Sequence, residues 1–107
     1  MIVLTSETTP GYEVTRVLGL VRGNTIRTRH LGRDITAGLR GLVGGEISEY
    51  TKLFAEAREQ ALDRMVHEAK TLGADGIIGV RFSTSMVMAS AAELLVYGTA
   101  VKLHARP

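Results

Sequence analysis

One stretch governs what this chain can become. Gly44-Gly45-Glu46 through Leu72-Gly73-Ala74 reads as a single long amphipathic helix in a sequence otherwise patterned as strands. Tyr50, Phe54, Ala57, Ala61, Met65, Ala69 and Leu72 recur every three or four residues, the α-helical period. Leu53, Leu62 and Val66 widen that stripe, while Glu56, Glu59, Gln60, Asp63, Arg64, His67 and Lys70 fill the opposite face. The alanines on the stripe let the helix backbone come close to a sheet, and Gly73 suits the left-handed residue that ends a helix. One helix covers one sheet face only.

The strands around it are apolar on two. Residues 2 to 5 form a short first strand, and Thr8-Thr9-Pro10-Gly11 is a turn in which Pro presets φ and Gly relieves the next position. From Tyr12 to Arg29 the chain alternates, with Val14, Leu18 and Leu20 on one parity and Thr15, Val17 and Val21 on the other. Gly19 and Gly23-Asn24 interrupt it, which predicts a bulge or tight hairpin near Arg22–Thr25. Asp34 as N-cap, followed by Ile35, Leu39, Leu42 and Val43, predicts a short helix stopped by Gly44-Gly45; Ser48 can cap the long one.

After the long helix, Ile77 to Met88 is a strand, Ala89-Ser90-Ala91-Ala92 a turn, and Glu93 to Leu103 the last strand. That last strand carries Leu95, Tyr97, Val101 and Leu103 on one parity and Leu94, Val96 and Ala100 on the other. The order is β-β-α-α-β-β in one domain over residues 1–107: an α+β fold, a small antiparallel sheet packed on one long helix plus a short one. In a single copy the second sheet face would meet water, forgoing roughly 1.5–3 kcal/mol per large apolar side chain. A symmetric partner is the expected cover, so the chain is expected to form a homo-oligomer.

Composition narrows the chemistry. The chain has no cysteine, which removes disulfides, thiolate catalysis and thiolate metal ligation together. Met1-Ile2-Val3-Leu4 has neither a basic start nor the apolar run of a signal peptide, and no segment approaches a membrane span. A cytoplasmic protein without a membrane partner is the expectation. The net charge of +2 hides an asymmetry: Arg16, Arg22, Arg27, Arg29, Arg33 and Arg40 face the single acid Asp34 in that segment.

Arg27, Arg29, His30 and Arg33, just before a helix start at Asp34, are the candidate anion site. Guanidinium forks match phosphate or carboxylate, and free N–H groups at a helix N-terminus add partial positive charge. The structural alternative is that Arg29 or Arg33 pairs with Asp34, Glu46 or Glu49. Gly41-Leu42-Val43-Gly44-Gly45 lacks the Gly-Lys-Ser/Thr end of a phosphate-binding loop, and the arginines lack the interleaved aromatics of a nucleic-acid platform. Nucleic acid is not an expected partner.

The runs Arg27-Thr28-Arg29-His30-Leu31-Gly32-Arg33-Asp34-Ile35, Gly38-Leu39-Arg40 and Gly44-Gly45-Glu46-Ile47-Ser48-Glu49-Tyr50-Thr51 resemble the YbjQ-like family. So do Ala57-Arg58-Glu59-Gln60-Ala61 and Gly73-Ala74-Asp75-Gly76-Ile77-Ile78-Gly79-Val80-Arg81-Phe82, and the match spans Met1 to Leu103 in order. The resemblance implies bacterial proteins carrying a heavy-metal-binding label, a dodecin-like fold and ring-shaped homo-pentamers. It brings no activity, substrate, cofactor or catalytic residue.

The residues themselves argue against a dedicated metal site. His30, His67 and His104 share no ligand spacing, and Asp63 with His67 stands on a solvated helix face. Asp34, Glu46, Glu49 and Asp75 complete the candidates, and no metal or cofactor is assigned. Ser6, Thr8, Ser48, Thr84 and Ser85 have no evident base, and Asp75 reads as a turn residue bonding its own backbone. Met86 and Met88 read as packing or interface filler. The expectation is a binding or assembly module and not an enzyme. The alternative is an enzyme or anionic-ligand-binding protein with sites at subunit interfaces around Arg27–Asp34.

Overall fold

The computed structural model describes residues 1–28, 48–88 and 91–107. Over these the chain forms β1 (Ile2–Val3), β2 (Tyr12–Thr28), α1 (Ser48–Thr71), β3 (Gly76–Met88) and β4 (Ala91–Ala105). The strands lie in one sheet in the order β1-β3-β4-β2. The short helix expected from Asp34 to Val43 lies outside the described residues.

The sheet is mixed, which corrects the expectation of an antiparallel one. β4 is antiparallel to both β2 and β3, but β1 runs parallel to β3, pairing Ile2 with Gly76 and Val3 with Ile77. A parallel pair needs a long crossover, and β2 with α1 supplies it. The N-terminal segment continues along the β3 edge through Leu4 N to Ile77 O (2.9 Å), Val80 N to Leu4 O (3.0 Å) and Gly79 N to Ser6 O (2.9 Å). Thr9-Pro10-Gly11 then turns the chain: Tyr12 N donates to Thr9 O at 2.9 Å, with Gly11 at φ +84° in the second central position.

β2 runs unbroken through Arg22–Thr25, so the hairpin expected there does not form. Its register shifts fall earlier, between Val14 and Arg16 and between Val17 and Gly19, the latter at φ +119°. The second shift resets the parity: Leu18 packs towards the helix with Val21, whereas Val17 and Leu20 pair on the other face with Val101 and Thr99. Strict alternation had put Leu18 and Leu20 together. Of the turn expected over Ala89–Ala92, Ala91 and Ala92 belong instead to β4, pairing with β2 and β3, and Ala89 and Ser90 lie outside the described residues.

The core lies between α1 and one sheet face. Ala57, Ala61, Met65 and Ala69 of the helix are buried against Val21, Ile77, Val80, Leu94, Val96 and Ala100. Those four follow the predicted stripe, but Leu72 at its end is exposed. The helix closes as the glycine suggested: Gly73 has φ +77°, its N donates to Lys70 O at 3.0 Å, and Ala74 N donates to Ala69 O at 3.1 Å.

The helix does not reach the whole sheet. Twenty-four residues make a rod of roughly 36 Å, whereas the 17 residues of β2 extend roughly 56 Å. The molecule measures 57 × 24 × 16 Å. Its radius of gyration, 17.6 Å, compares with about 13 Å for a compact chain of this length. Residues 12–17 of β2 are all exposed, and beyond Val101 the strand β4 keeps ladder pairing with β2 alone. The result is a two-stranded arm, a structure of marginal stability by itself.

Candidate functional site

The sheet face turned away from α1 exposes large apolar side chains of β2. By register it presents Val17, Leu20 and Ile26 of β2 beside Val101, Thr99 and Glu93 of β4, with Leu95 and Tyr97 between. Val17 is 64% exposed, Leu20 63% and Ile26 57%. Val101 is fully buried where Val17 and Gly76 flank it, so the uncovered side chains belong mainly to β2.

On the helix side, polar side chains fasten α1 to β2. Thr25, buried at 2% exposure, donates its hydroxyl to Ala57 O at 3.3 Å. Arg64 Nη1 donates to Asn24 O at 2.6 Å, and Arg27 Nη2 to Gln60 Oε1 at 2.7 Å. On the opposite face, Asn24 Nδ2 donates to Glu93 Oε2 at 3.4 Å. The seam was not foreseen, because Thr25 and Gln60 carry no motif; only the short residues opposite them, Ala57 and Gly23, hint at a close approach.

Of the predicted anion residues, Arg27 is half-buried and its Nε is enclosed with no hydrogen-bond partner among the described residues. Arg29, His30 and Arg33, like Asp34 and Glu46, lie outside the described residues. Beside the seam, a groove of about 710 Å³ is lined by Arg22, Gln60, Asp63, Arg64, His67 and Glu68 among others. Its mixed charges select no ligand of one sign.

Heavy-metal coordination finds no fit among the described residues. No three His, Asp or Glu side chains stand together as a metal site, and thiolates are absent from the chain. His67 sits on the exposed side of α1 and His104 near the end of the arm. Asp75 is engaged elsewhere, and not in the local turn bond expected of it. Its Oδ2 accepts from Leu103 N at 2.9 Å and its Oδ1 lies 3.5 Å from Lys102 Nζ. The Leu103 N–H and then the Lys102 charge hold the carboxyl below the usual carboxylate range, partly opposed by desolvation. Lys102 Nζ also donates to Gly73 O at 2.9 Å, tying the helix end to β4. Of the hydroxyls, Ser6 Oγ donates to Thr8 O at 2.8 Å, a local turn contact. No described helix is long and apolar enough to cross a membrane.

Comparison with known proteins agrees with the strand and helix pattern. Residues 1–104 match the family model YbjQ_1, described as "Putative heavy-metal-binding". A UPF0145 protein of Methanosarcina acetivorans is 57% identical over 106 residues, covering 99% of this chain and all of the relative. One from Thermus thermophilus is 57% identical over 104 residues, 97% of this chain and 91% of the relative. These relatives include archaea, so the family is wider than the bacterial proteins its resemblance implied. In three dimensions, a protein of unknown function from Pediococcus pentosaceus, of the DUF74 family, superposes with a TM-score of 0.71. It is 19% identical, with 97% of this chain and 98% of that one covered, and so supports the fold alone. The chain belongs to the YbjQ-like family of UPF0145 proteins.

Proposed function

We propose that this chain is a cytoplasmic self-assembling module, not an enzyme, whose working form is a ring-shaped, dodecin-like homo-oligomer, with five copies by family resemblance. The observation that carries the reading is the apolar face of β2 left in water. Val17, Leu20 and Ile26 are each more than half exposed and share one side of the sheet. Their exposure forgoes roughly 1.5–3 kcal/mol each relative to full burial. A repeated contact covers such a surface once per copy, and closure of a ring stops it from polymerising. Light scattering at micromolar concentration tests the reading: a mass near the 11.5 kDa of one chain would end it.

A second reading is favoured by one observation, the enclosed Nε of Arg27, which has no partner among the described residues. An anionic ligand, phosphate or carboxylate, would satisfy that donor at a site completed by a neighbouring subunit. Inorganic phosphate should then raise the melting temperature of the wild type and leave Arg27→Met unmoved. Equal responses would remove it.

A further inference from the structure

Across its strands the sheet assembles a row of side chains that the order of the chain conceals. Arg81 of β3 pairs with Tyr97 of β4, and Tyr97 pairs in turn with Arg22 of β2. Directly paired residues point to one side of a sheet. This row points away from α1, because Val21, Val80 and Val96 next to it are buried in the core on the helix side. A phenol ring, 38% exposed although β4 has a strand on either side, thus stands between two arginines. Along the sequence the arginines have no interleaved aromatic; the register supplies one.

No carboxylate among the described residues answers that charge. The rows on either side, Leu20 with Thr99 and Ile78, and Asn24 with Leu95 and Ser83, are uncharged. Glu93 lies further along β4 and accepts from Asn24. Arg22 also borders the groove beside α1 that Asp63 and Glu68 line. Yet the one ion pair among the described residues is Lys102 with Asp75, so none of these acids pairs with Arg22 or Arg81. Arg81 is held by the N-terminal segment: its Nη1 donates to Thr5 O at 2.7 Å and to Val80 O at 2.9 Å. Its other N–H groups have no partner among the described residues.

From this row we infer a binding site for a small planar aromatic anion. The ring lies on Tyr97, and its phosphate or carboxylate is taken by the guanidinium groups of Arg22 and Arg81. The backbones of the two arginines stand two strand spacings apart, roughly 10 Å, which leaves room for a ring with a charged group at its rim. One aromatic stacks one ring, so the row suits a single nucleotide or an aromatic acid. A nucleic-acid strand needs successive aromatics, and Tyr12, on the same face, stands at the far end of the arm. The row is complete within one chain and is separate from Arg27. It also agrees with assembly. A copy covering Leu20 and Ile26 also covers Arg22, which lies between them on β2, and a guanidinium that keeps its charge then needs an anion beside it.

Adenosine monophosphate and benzoate are the probes, one joining a ring to a phosphate and the other to a carboxylate; calorimetry on the full chain reads them. At least one should bind at one per chain, and the stronger of the two identifies the anion. Adenosine and inorganic phosphate, the two halves of the first probe, should bind more weakly than the whole. Tyr97→Leu and Arg22→Gln should each weaken the better probe by about tenfold, whereas Tyr97→Phe keeps the ring and should bind as the wild type does. Arg58→Gln, an exposed change on α1, should have no effect. Arg22 and Tyr97 are exposed, so circular dichroism should show an intact fold in every variant. No binding of either probe at millimolar concentration overturns the site, as does an equal loss with Arg58→Gln. Binding that survives Tyr97→Leu and disappears with Arg27→Met also overturns it, and leaves the Arg27 reading standing.

Discussion

Gly23 of β2 lies directly beneath Ala61 of α1. A Cβ placed on Gly23 would be 2.6 Å from Met65 N and closer still to the Ala61 carbonyl oxygen. Both obstacles are helix backbone, which cannot rotate aside as a side chain would. The glycine is therefore a contact point where strand and helix backbones meet, and Ala57 and Ala61 supply the matching shallow surface.

Gly23→Ala should consequently cost at least about 3 kcal/mol, the upper end of overpacking penalties, by lifting α1 from β2. Urea unfolding at fixed chain concentration measures it, since an assembling protein has a concentration-dependent midpoint. A loss below about 1 kcal/mol would mean that the helix tilts freely over this strand.

The same residue shows how much was legible in the sequence. Helical spacing located Ala57, Ala61, Met65 and Ala69 correctly, because a helix buried on one side must repeat its apolar residues at its own period. Gly23-Asn24 alone predicts a bulge or tight hairpin, since a glycine in a strand signals a bend or a close approach equally well and only the packed partner decides. Simple alternation gives Leu20 the parity of Leu18, but one extra residue at Leu18-Gly19 flips every later side chain, and no composition marks that shift. The parallel pairing of Ile2 and Val3 with β3 was likewise hidden: two residues carry no directional pattern. Of the anion candidates, Arg27 is placed beside Gln60, a contact between positions 33 apart in sequence that no local rule anticipates.

Thr25 offers a milder test of the same seam. Its hydroxyl is buried and donates to Ala57 O, while a valine would keep the shape and lose the bond. Thr25→Val should destabilise by about 1 kcal/mol, read as a lower urea midpoint at unchanged slope. No change would show that the 3.3 Å contact contributes nothing.

Asp75 predicts the acid behaviour. Its carboxyl titrates below the ordinary 3.8 in the folded protein, chiefly through the Leu103 N–H and then Lys102. A depressed native pKa stabilises the fold above the unfolded value, and that contribution disappears as pH falls below 3.8 through the native pKa. Asp75→Asn removes the titrating group but keeps an acceptor for Leu103 N. Melting curves from about pH 7 to about pH 2 should then converge for the two proteins at the acid end. A constant gap across that range would show that Asp75 does not titrate differently on folding.

Metal affinity is the last expectation, and donor chemistry sets it against the family's label. A soft heavy metal selects thiolates, and a dedicated zinc site needs three or four ligands within about 2.3 Å of one point. The chain has no cysteine, and its described His, Asp and Glu side chains form no such group. His67 stands with Asp63 on an exposed helix face, and a two-ligand surface pair leaves the metal mostly hydrated. A ring could gather one copy of a histidine from each subunit, which is the one route to a tighter site. Calorimetric titration with zinc should therefore show no stoichiometric site with Kd below about 1 μM. A submicromolar site at one metal per ring, abolished by His30→Ala, His67→Ala or His104→Ala, would reverse that conclusion and place the metal on the ring axis.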